Sequence, residues 1–302
     1  MQFVIEAQDS GKTVRDFLRK QGISAALLSK LKRHEQGIVQ NGIRVTVRAV
    51  LQAGDTLTLA IEDEQGNEKI LPLAKVVEAV LETADFVVLN KPPFMPTHPS
   101  HGHYDDTLAN ALVFRYGSTF RPRFINRLDR NTSGVVLVAK HHYAAARLSG
   151  AMAAGEMQKT YYAVAVGKIE GDTVLKTGIR RQNESVITRE VCAVGEGDLA
   201  VTHVTALATN GRLTLLRLMP ETGRTHQLRV HMAYLGAPLL GDELYGAPAA
   251  KIPRHALHAA KMSFPHPVTG GICEAVAPVA PDMLALIEHE FGKEALSLVE
   301  EN

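Results

Sequence analysis

The chain has 302 residues, of which 45% are hydrophobic and 22% charged, with a formal net charge of +1. That is the composition of a folded globular protein with room for one large and one small domain. Cys192 and Cys273 are too few for a disulfide framework, no apolar run approaches the ~18 residues of a membrane span, and Met1 to Val14 lacks a signal-peptide core. A monomer in a reducing cytoplasm, away from membranes, is therefore expected.

Along the first sixty residues, Val14, Phe17 and Leu18 mark one helical face, and Leu27, Leu28 and Leu31 a second, with Ser24 placed to cap it. Ile38-Val39-Gln40 and Ile43 to Val47 flank Asn41-Gly42, a strong hairpin signal, and Gly54-Asp55 turns the chain into Leu57, Leu59 and Ile61. A polar stretch from Glu62 to Glu68 reads as a linker. Two apolar runs, Lys75 to Leu81 and Phe86 to Leu89, predict a hairpin, followed by the irregular Asn90-Lys91-Pro92-Pro93-Phe94. Asp106 is placed to cap a helix bearing Leu108, Ala111, Leu112 and Phe114. Strands are expected at 134–139, 159–167, 201–208, 212–218 and 272–277, with helices near 142–154, 225–235 and 281–290. Residues 168–198 read as an insertion or extended hairpin. Many short strands with few helices between them predict an α+β fold with a mixed, largely antiparallel sheet.

Charge is unevenly spread. Residues 12–48 hold nine Lys or Arg against two acids, and residues 115–147 hold seven against Asp129 alone. Such patches on a neutral average suit a polyanion-binding surface. Within the second patch runs Asn126-Arg127-Leu128-Asp129-Arg130-Asn131-Thr132-Ser133-Gly134, whose Thr-Ser-Gly reads as a tight turn into a buried strand. Flanking guanidinium groups favour an ionised Asp129, the state required of a nucleophile or proton acceptor. Taken alone, the segment is an ordinary surface ion pair.

The whole segment resembles the Arg-Leu-Asp-x-x-Thr-Ser-Gly signature of the RluA-type pseudouridine synthases, in which the aspartate is catalytic. Three further blocks keep the family's order. Lys159-Thr160-Tyr161 resembles the strand whose tyrosine faces the reacting base. Gly223-Arg224-Thr225-His226-Gln227-Leu228-Arg229 resembles the segment in which Arg229 would pair with Asp129, Leu228 would line the pocket and Arg224 would hold a phosphate or orient the loop. Leu257-His258-Ala259 with Phe264-Pro265-His266-Pro267 would support the pocket wall. The family carries histidine where Asn126 stands, and the sequence assigns Asn126 no role.

The N-terminal pattern resembles the small RNA-binding module named after ribosomal protein S-four, which implies phosphate contacts from Lys30, Lys32, Arg33 and Arg44. These resemblances imply an RNA-binding domain at 1–62, a linker at 63–72 and a pseudouridine synthase domain at 73–302. Asp129, Tyr161 and Arg229 would be catalytic, and Arg127, Arg130, Arg224 and Leu228 would bind substrate. Large-subunit ribosomal RNA is the favoured partner, with transfer RNA, or a non-catalytic role in ribosome assembly, as alternatives. No cofactor is implied. His98, His101 and His103 are close enough in sequence to suggest a metal, but the family's loop carries His-Pro there without one. A glycosidase would need a second positioned carboxylate, and none accompanies Asp129 in these blocks.

Overall fold

Asn41 and Gly42 both adopt left-handed φ, 51° and 81°, as a two-residue hairpin turn with native twist demands. In the computed structural model, which describes residues 2–23, 25–60, 70–182, 187–246 and 251–300, that turn joins β2 (Ile38–Gln40) to β3 (Ile43–Arg44). With β1 (Gln2–Val4) and β4 (Thr56–Leu59) they form an antiparallel sheet in the order β1-β4-β2-β3. Helices α1 (Val14–Lys20) and α2 (Ala25–Arg33) pack on it through Phe17, Leu18, Leu28 and Leu31, which meet Phe3, Ile5 and Leu57. Strand β3 is shorter than the Ile43–Val47 run predicted. Ser24 and the proposed linker from Glu62 to Glu68 lie outside the described residues.

The larger part is built on one sheet. Its elements are β5 (Ala79–Glu82), β6 (Phe86–Lys91), α3 (Leu108–Tyr116), β7 (Arg123–Phe124), β8 (Ser133–Ala139), α4 (His142–Ala153), β9 (Gln158–Val166) and β10 (Asp172–Arg181). The chain continues through β11 (Arg189–Cys192), β12 (Asp198–Thr209), β13 (Leu213–Pro220), α5 (Gln227–Tyr234), β14 (Leu257–Pro265), β15 (Ile272–Val276), α6 (Pro281–Phe291) and α7 (Glu294–Glu300). Strand order is β11-β10-β12-β13-β9-β14-β8-β6-β5, with β15 on β14 and β7 on β8. Every described pairing is antiparallel except β14 with β8, so the fold is α+β with a mixed, largely antiparallel sheet. The expected extended hairpin at 168–198 is β10 and β11.

Two expectations need correction. Thr107, not Asp106, caps α3: its hydroxyl accepts from the Asn110 amide while the Asn110 side chain accepts from the Thr107 amide, a reciprocal capping box. Asp106 instead meets His103 at 2.7 Å. Strand β14 was not expected, because Leu257 to Phe264 has no β-branched residue and little strand propensity; burial between β9 and β8 overrides that local preference.

The small sheet rests against α4. Tyr143 joins the N-terminal core, its ring edge-on to Phe3 with centroids 6.1 Å apart and its hydroxyl donating to the Gln21 carbonyl at 3.1 Å. Among the described residues no helix is long and apolar enough to cross a membrane.

Candidate active site

The single parallel pairing explains the residues after Asp129. Ser133 and Gly134 stand opposite His258 and Ala259, and a side chain at Gly134 would begin 2.0 Å from the Ala259 carbonyl oxygen. With φ of +110° as well, only glycine fits there. Thr132 bonds His255 Nε2 at 2.7 Å and Ser133 bonds His258 Nδ1 at 2.9 Å. The predicted Thr-Ser-Gly turn is therefore displaced. The Thr132 amide donates to the Asp129 carbonyl at 3.1 Å, so the turn spans 129–132, and Ser133 and Gly134 already belong to β8.

Two buried basic side chains hold that turn from beneath. Lys91, fully buried, donates to the carbonyls of Pro92, Met95 and Arg130 at 2.9, 2.9 and 3.1 Å. Burial, and then the Arg254 charge, push its pKa down to about 7. Arg254, also buried, donates to the carbonyls of Asn131 and Leu257 and forms a two-pronged pair with Asp282. On the other side Asn126 donates to the Val135 carbonyl at 3.0 Å and accepts from the Leu137 amide at 2.8 Å. The residue left unassigned by sequence thus clips the approach to the loop onto β8.

The loop so fixed presents Asp129 to Arg229 on α5. Arg229 Nη1 donates to Asp129 Oδ2 at 3.0 Å, while its Nε and Nη2 clasp the buried Asp242 at 2.7 and 2.8 Å. Arg229 also lies 5.1 Å over the Tyr245 ring. Two of the three guanidinium nitrogens thus serve Asp242, and the third serves Asp129. His226 Nε2 stands 3.7 Å from Asp129 Oδ2, and its Nδ1 bonds the Tyr245 hydroxyl at 2.9 Å. Burial alone would raise the Asp129 carboxyl, but the charges of His226, Arg229 and His255 outweigh it and hold its pKa below the ordinary 3.8. His226 and His255 are themselves lowered by burial, His255 to about 4, so at neutral pH Arg229 is the cation that carries this effect. Asp129 is ionised and side-on to solvent, its side chain 28% exposed.

Tyr161, Leu228, Leu257 and Thr132 line the same cavity as Asp129 and Arg229. Tyr161 and its neighbour Tyr162 face opposite sides of β9, as alternation requires; Tyr162 belongs to the other core, with Val164 and Met283. Burial, and then the Asp129 charge, push the Tyr161 phenol upward. Its hydroxyl stays protonated, which suits a stacking ring better than a base.

Residues 85–234 match the family model described as RNA pseudouridylate synthase. The chain is 38% identical over 282 residues to the "Uncharacterized RNA pseudouridine synthase YjbO" of Bacillus subtilis, covering 92% of this chain and 99% of that protein. The chain belongs to the RluA-type RNA pseudouridine synthases. It is likewise 37% identical to "Ribosomal large subunit pseudouridine synthase D" of Vibrio cholerae, over 83% of this chain and 82% of that one. Among solved structures, "Human RNA Pseudouridylate Synthase Domain Containing 1" aligns with TM-score 0.58 and 27% identity, covering 70% of this chain and 87% of that one.

The other expected residues of this synthase are dispersed around the cavity. Arg127 and Arg224 are exposed and line both the Asp129 cavity and an adjoining cleft. Arg130 is exposed at the turn and lines the cleft only. None of the three bonds Asp129, so the sequence neighbours of the aspartate are not its ionic partners. Arg224 instead donates to the Leu199 carbonyl at 3.0 Å. In the small domain Lys30, Lys32, Arg33 and Arg44 are all exposed. Lys32 and Arg44 share a groove with Arg15 and Arg48, whereas Lys30 and Arg33 do not line it. Of the three histidines weighed as metal ligands, His98 packs edge-on to Phe124 and His103 pairs with Asp106.

Sequence reasoning missed Lys91, His226, Asp242, Arg254 and His255 as parts of the site. Asp242 lies between the quoted blocks, in a stretch to which the sequence reading gave no role. For Lys91 and Arg254 the sequence carried no signal, since burial of a charge is visible only in three dimensions.

Proposed function

We propose that this synthase converts a uridine in structured RNA to pseudouridine with Asp129 as the catalytic residue, Arg229 as its ionic partner and Tyr161 as the ring on which the base rests. The observation that carries the assignment is the ion chain Asp242–Arg229–Asp129, which keeps one partly exposed carboxylate charged at the mouth of a cavity walled by Tyr161 and Leu228. The target nucleotide must leave its stack to reach that carboxylate. Asp129 then attacks C1′ of the ribose or removes the C2′ proton, and the N1–C1′ bond breaks. The freed uracil turns in the pocket and C5 bonds to C1′, displacing the Asp129 carboxylate from the sugar in the first route and with Asp129 returning the proton to C2′ in the second. C5 then loses a proton and N1 gains one, so atoms and charge balance, Asp129 is regenerated and no redox partner is needed.

Large-subunit ribosomal RNA is the target we favour. Support comes from the names of the Vibrio relatives and from the groove of Arg15, Lys32, Arg44 and Arg48, which suits a phosphate backbone. The N-terminal sheet and helices would then serve as the RNA-binding domain, and Arg127, Arg130 and Arg224 as backbone contacts near the pocket.

The test is tritium release from RNA labelled at uracil C5, with the parent chain and Asp129→Asn, on ribosomal and transfer RNA from cells lacking this protein. Release by the parent from ribosomal RNA, abolished in the variant, is expected. Equal release by both would reject Asp129; release from transfer RNA alone would reject the ribosomal target.

A further inference from the structure

Next to the Asp129 cavity opens a larger cleft of about 620 Å³, sharing Arg127, Tyr161 and Arg224 with it and extending to His98, Phe124 and Met152. Its volume lies in the range of nucleotide-sized sites. The far wall is aromatic and apolar: the rings of His98 and Phe124 meet at 4.4 Å with a 70° angle, and Met152 and Ile125 adjoin them. Arg127, Arg130 and Arg224 line the cleft, and among its described lining residues Asp129 is the sole carboxylate. Both rings are half-buried, so each keeps surface open to the cleft. Burial, and then Arg127, hold the His98 pKa below its ordinary value, so its ring is neutral at physiological pH. A neutral imidazole beside a phenyl ring is a surface for a nucleobase, and guanidinium groups lining the same cleft suit a phosphate.

We propose that this cleft holds the nucleotide adjacent to the target uridine, its base against the His98–Phe124 pair and its phosphate on the Arg127 and Arg224 side. The assignment rests on the reading of the protein as acting on uridine in RNA. It makes His98 and Phe124 specificity-determining contacts that take no part in the bond changes at Asp129. The cleft therefore reads sequence context, while the Asp129 cavity performs the isomerisation.

The test uses a hairpin RNA carrying the converted uridine found by mapping pseudouridines with and without this protein. Three versions are compared under single-turnover conditions: intact, abasic at the 5′ neighbour, and abasic at the 3′ neighbour. For the parent chain, one abasic RNA is expected to need roughly tenfold more enzyme for half-maximal rate, with the saturated rate unchanged. His98→Ala and the conservative Phe124→Leu should impose a similar loss on intact RNA and little more on that abasic RNA. The inference is overturned if the parent treats all three RNAs alike, or if the variants lose equally on intact and abasic RNA, as general loosening of the fold would cause. If the parent converts no RNA at all, the underlying reading fails first. If it converts intact RNA but ignores the neighbour, only the cleft assignment fails.

Discussion

Two basic regions of this molecule hold charge in opposite ways. Beneath and behind Asp129, three basic side chains are buried and saturated, unlike the exposed arginines at the cavity mouth: Lys91 has three carbonyl acceptors, Arg254 is clasped by Asp282, and Arg229 lies between Asp242 and Asp129. Along the N-terminal groove, Lys32, Arg44 and Arg48 are exposed to water. Buried charge fixes geometry, because a cation taken out of water must find its full set of partners. Exposed charge fixes little and is screened within about 8 Å at physiological ionic strength. One region is built to hold a carboxylate in place, the other to attract a polyanion from a distance.

The comparison breaks most sharply at Asp129 itself. Asp129→Asn keeps the shape and removes the charge, and should lower the single-turnover rate by at least ~10³-fold while leaving RNA affinity close to that of the parent. A parallel loss of affinity would mean the residue serves binding and not chemistry. Next in size is Asp242→Asn, which touches no substrate. It frees Arg229 from its two-pronged clasp, and a misplacement of about 1 Å there is worth roughly 10²-fold in rate. If Asp242→Asn retains the parental rate while Asp129→Asn is dead, Arg229 is held by something other than Asp242. Lys91→Met tests the support beneath the loop. Three carbonyls would lose their donor, and unfolding in denaturant should show a loss of about 3 kcal/mol; a change below about 1 kcal/mol would show that water replaces the ammonium freely.

The pattern of what was legible in sequence follows the same division. Asp129, Tyr161 and Arg229 could be read because each sits in a contiguous block with a family resemblance, and alternation along β9 separated Tyr161 from Tyr162. The groove residues were only half resolved. Helical spacing put Lys30, Lys32 and Arg33 on one element, but which of them turns toward Arg44 depends on how α2 packs on the sheet. Arg127 and Arg130, although adjacent to Asp129, do not pair with it, because adjacency in sequence counts for little when a turn directs neighbouring side chains apart. Asn126 and Gly134 were opaque for a different reason. Their partners, the β8 backbone and the Ala259 carbonyl, are main-chain groups, which leave no complementary residue type in the sequence. Strand β14 hid behind its weak propensity and is held by pairing with β9, β8 and β15 and by burial between them.

A smaller effect concerns pH. The Asp129 carboxyl is held below its ordinary value, so its ionised form and the stability it lends are present above the unfolded value near 3.8 and vanish as pH falls through the still lower folded one. The rate constant of the chemical step should accordingly show no acid limb from this group down to about pH 4.5. A limb with midpoint near ~6 that persists in His226→Gln would mean Asp129 is not held ionised by Arg229. A limb that disappears in that variant would assign the titration to the neighbouring imidazole.

The smallest expected effect on chemistry, and the one that isolates the other region, comes from Lys32→Ala with Arg44→Ala. Both side chains are exposed in one groove and far along the chain from the loop bearing Asp129, so neither substitution should alter the rate on saturating enzyme. Binding to a long ribosomal RNA fragment should weaken, and the slope of log affinity against log salt should fall by about one for each phosphate no longer engaged. Lys30→Ala with Arg33→Ala removes the same formal charge from the same small domain but not from the groove. If charge alone mattered, the two pairs would flatten the slope equally. If the groove is a binding surface, only the first pair will do so, because counterion release counts phosphates touched and not the net charge of the domain. An unchanged slope in both would place the RNA elsewhere and leave the pocket side, with Arg127, Arg130 and Arg224, as the surface that holds it.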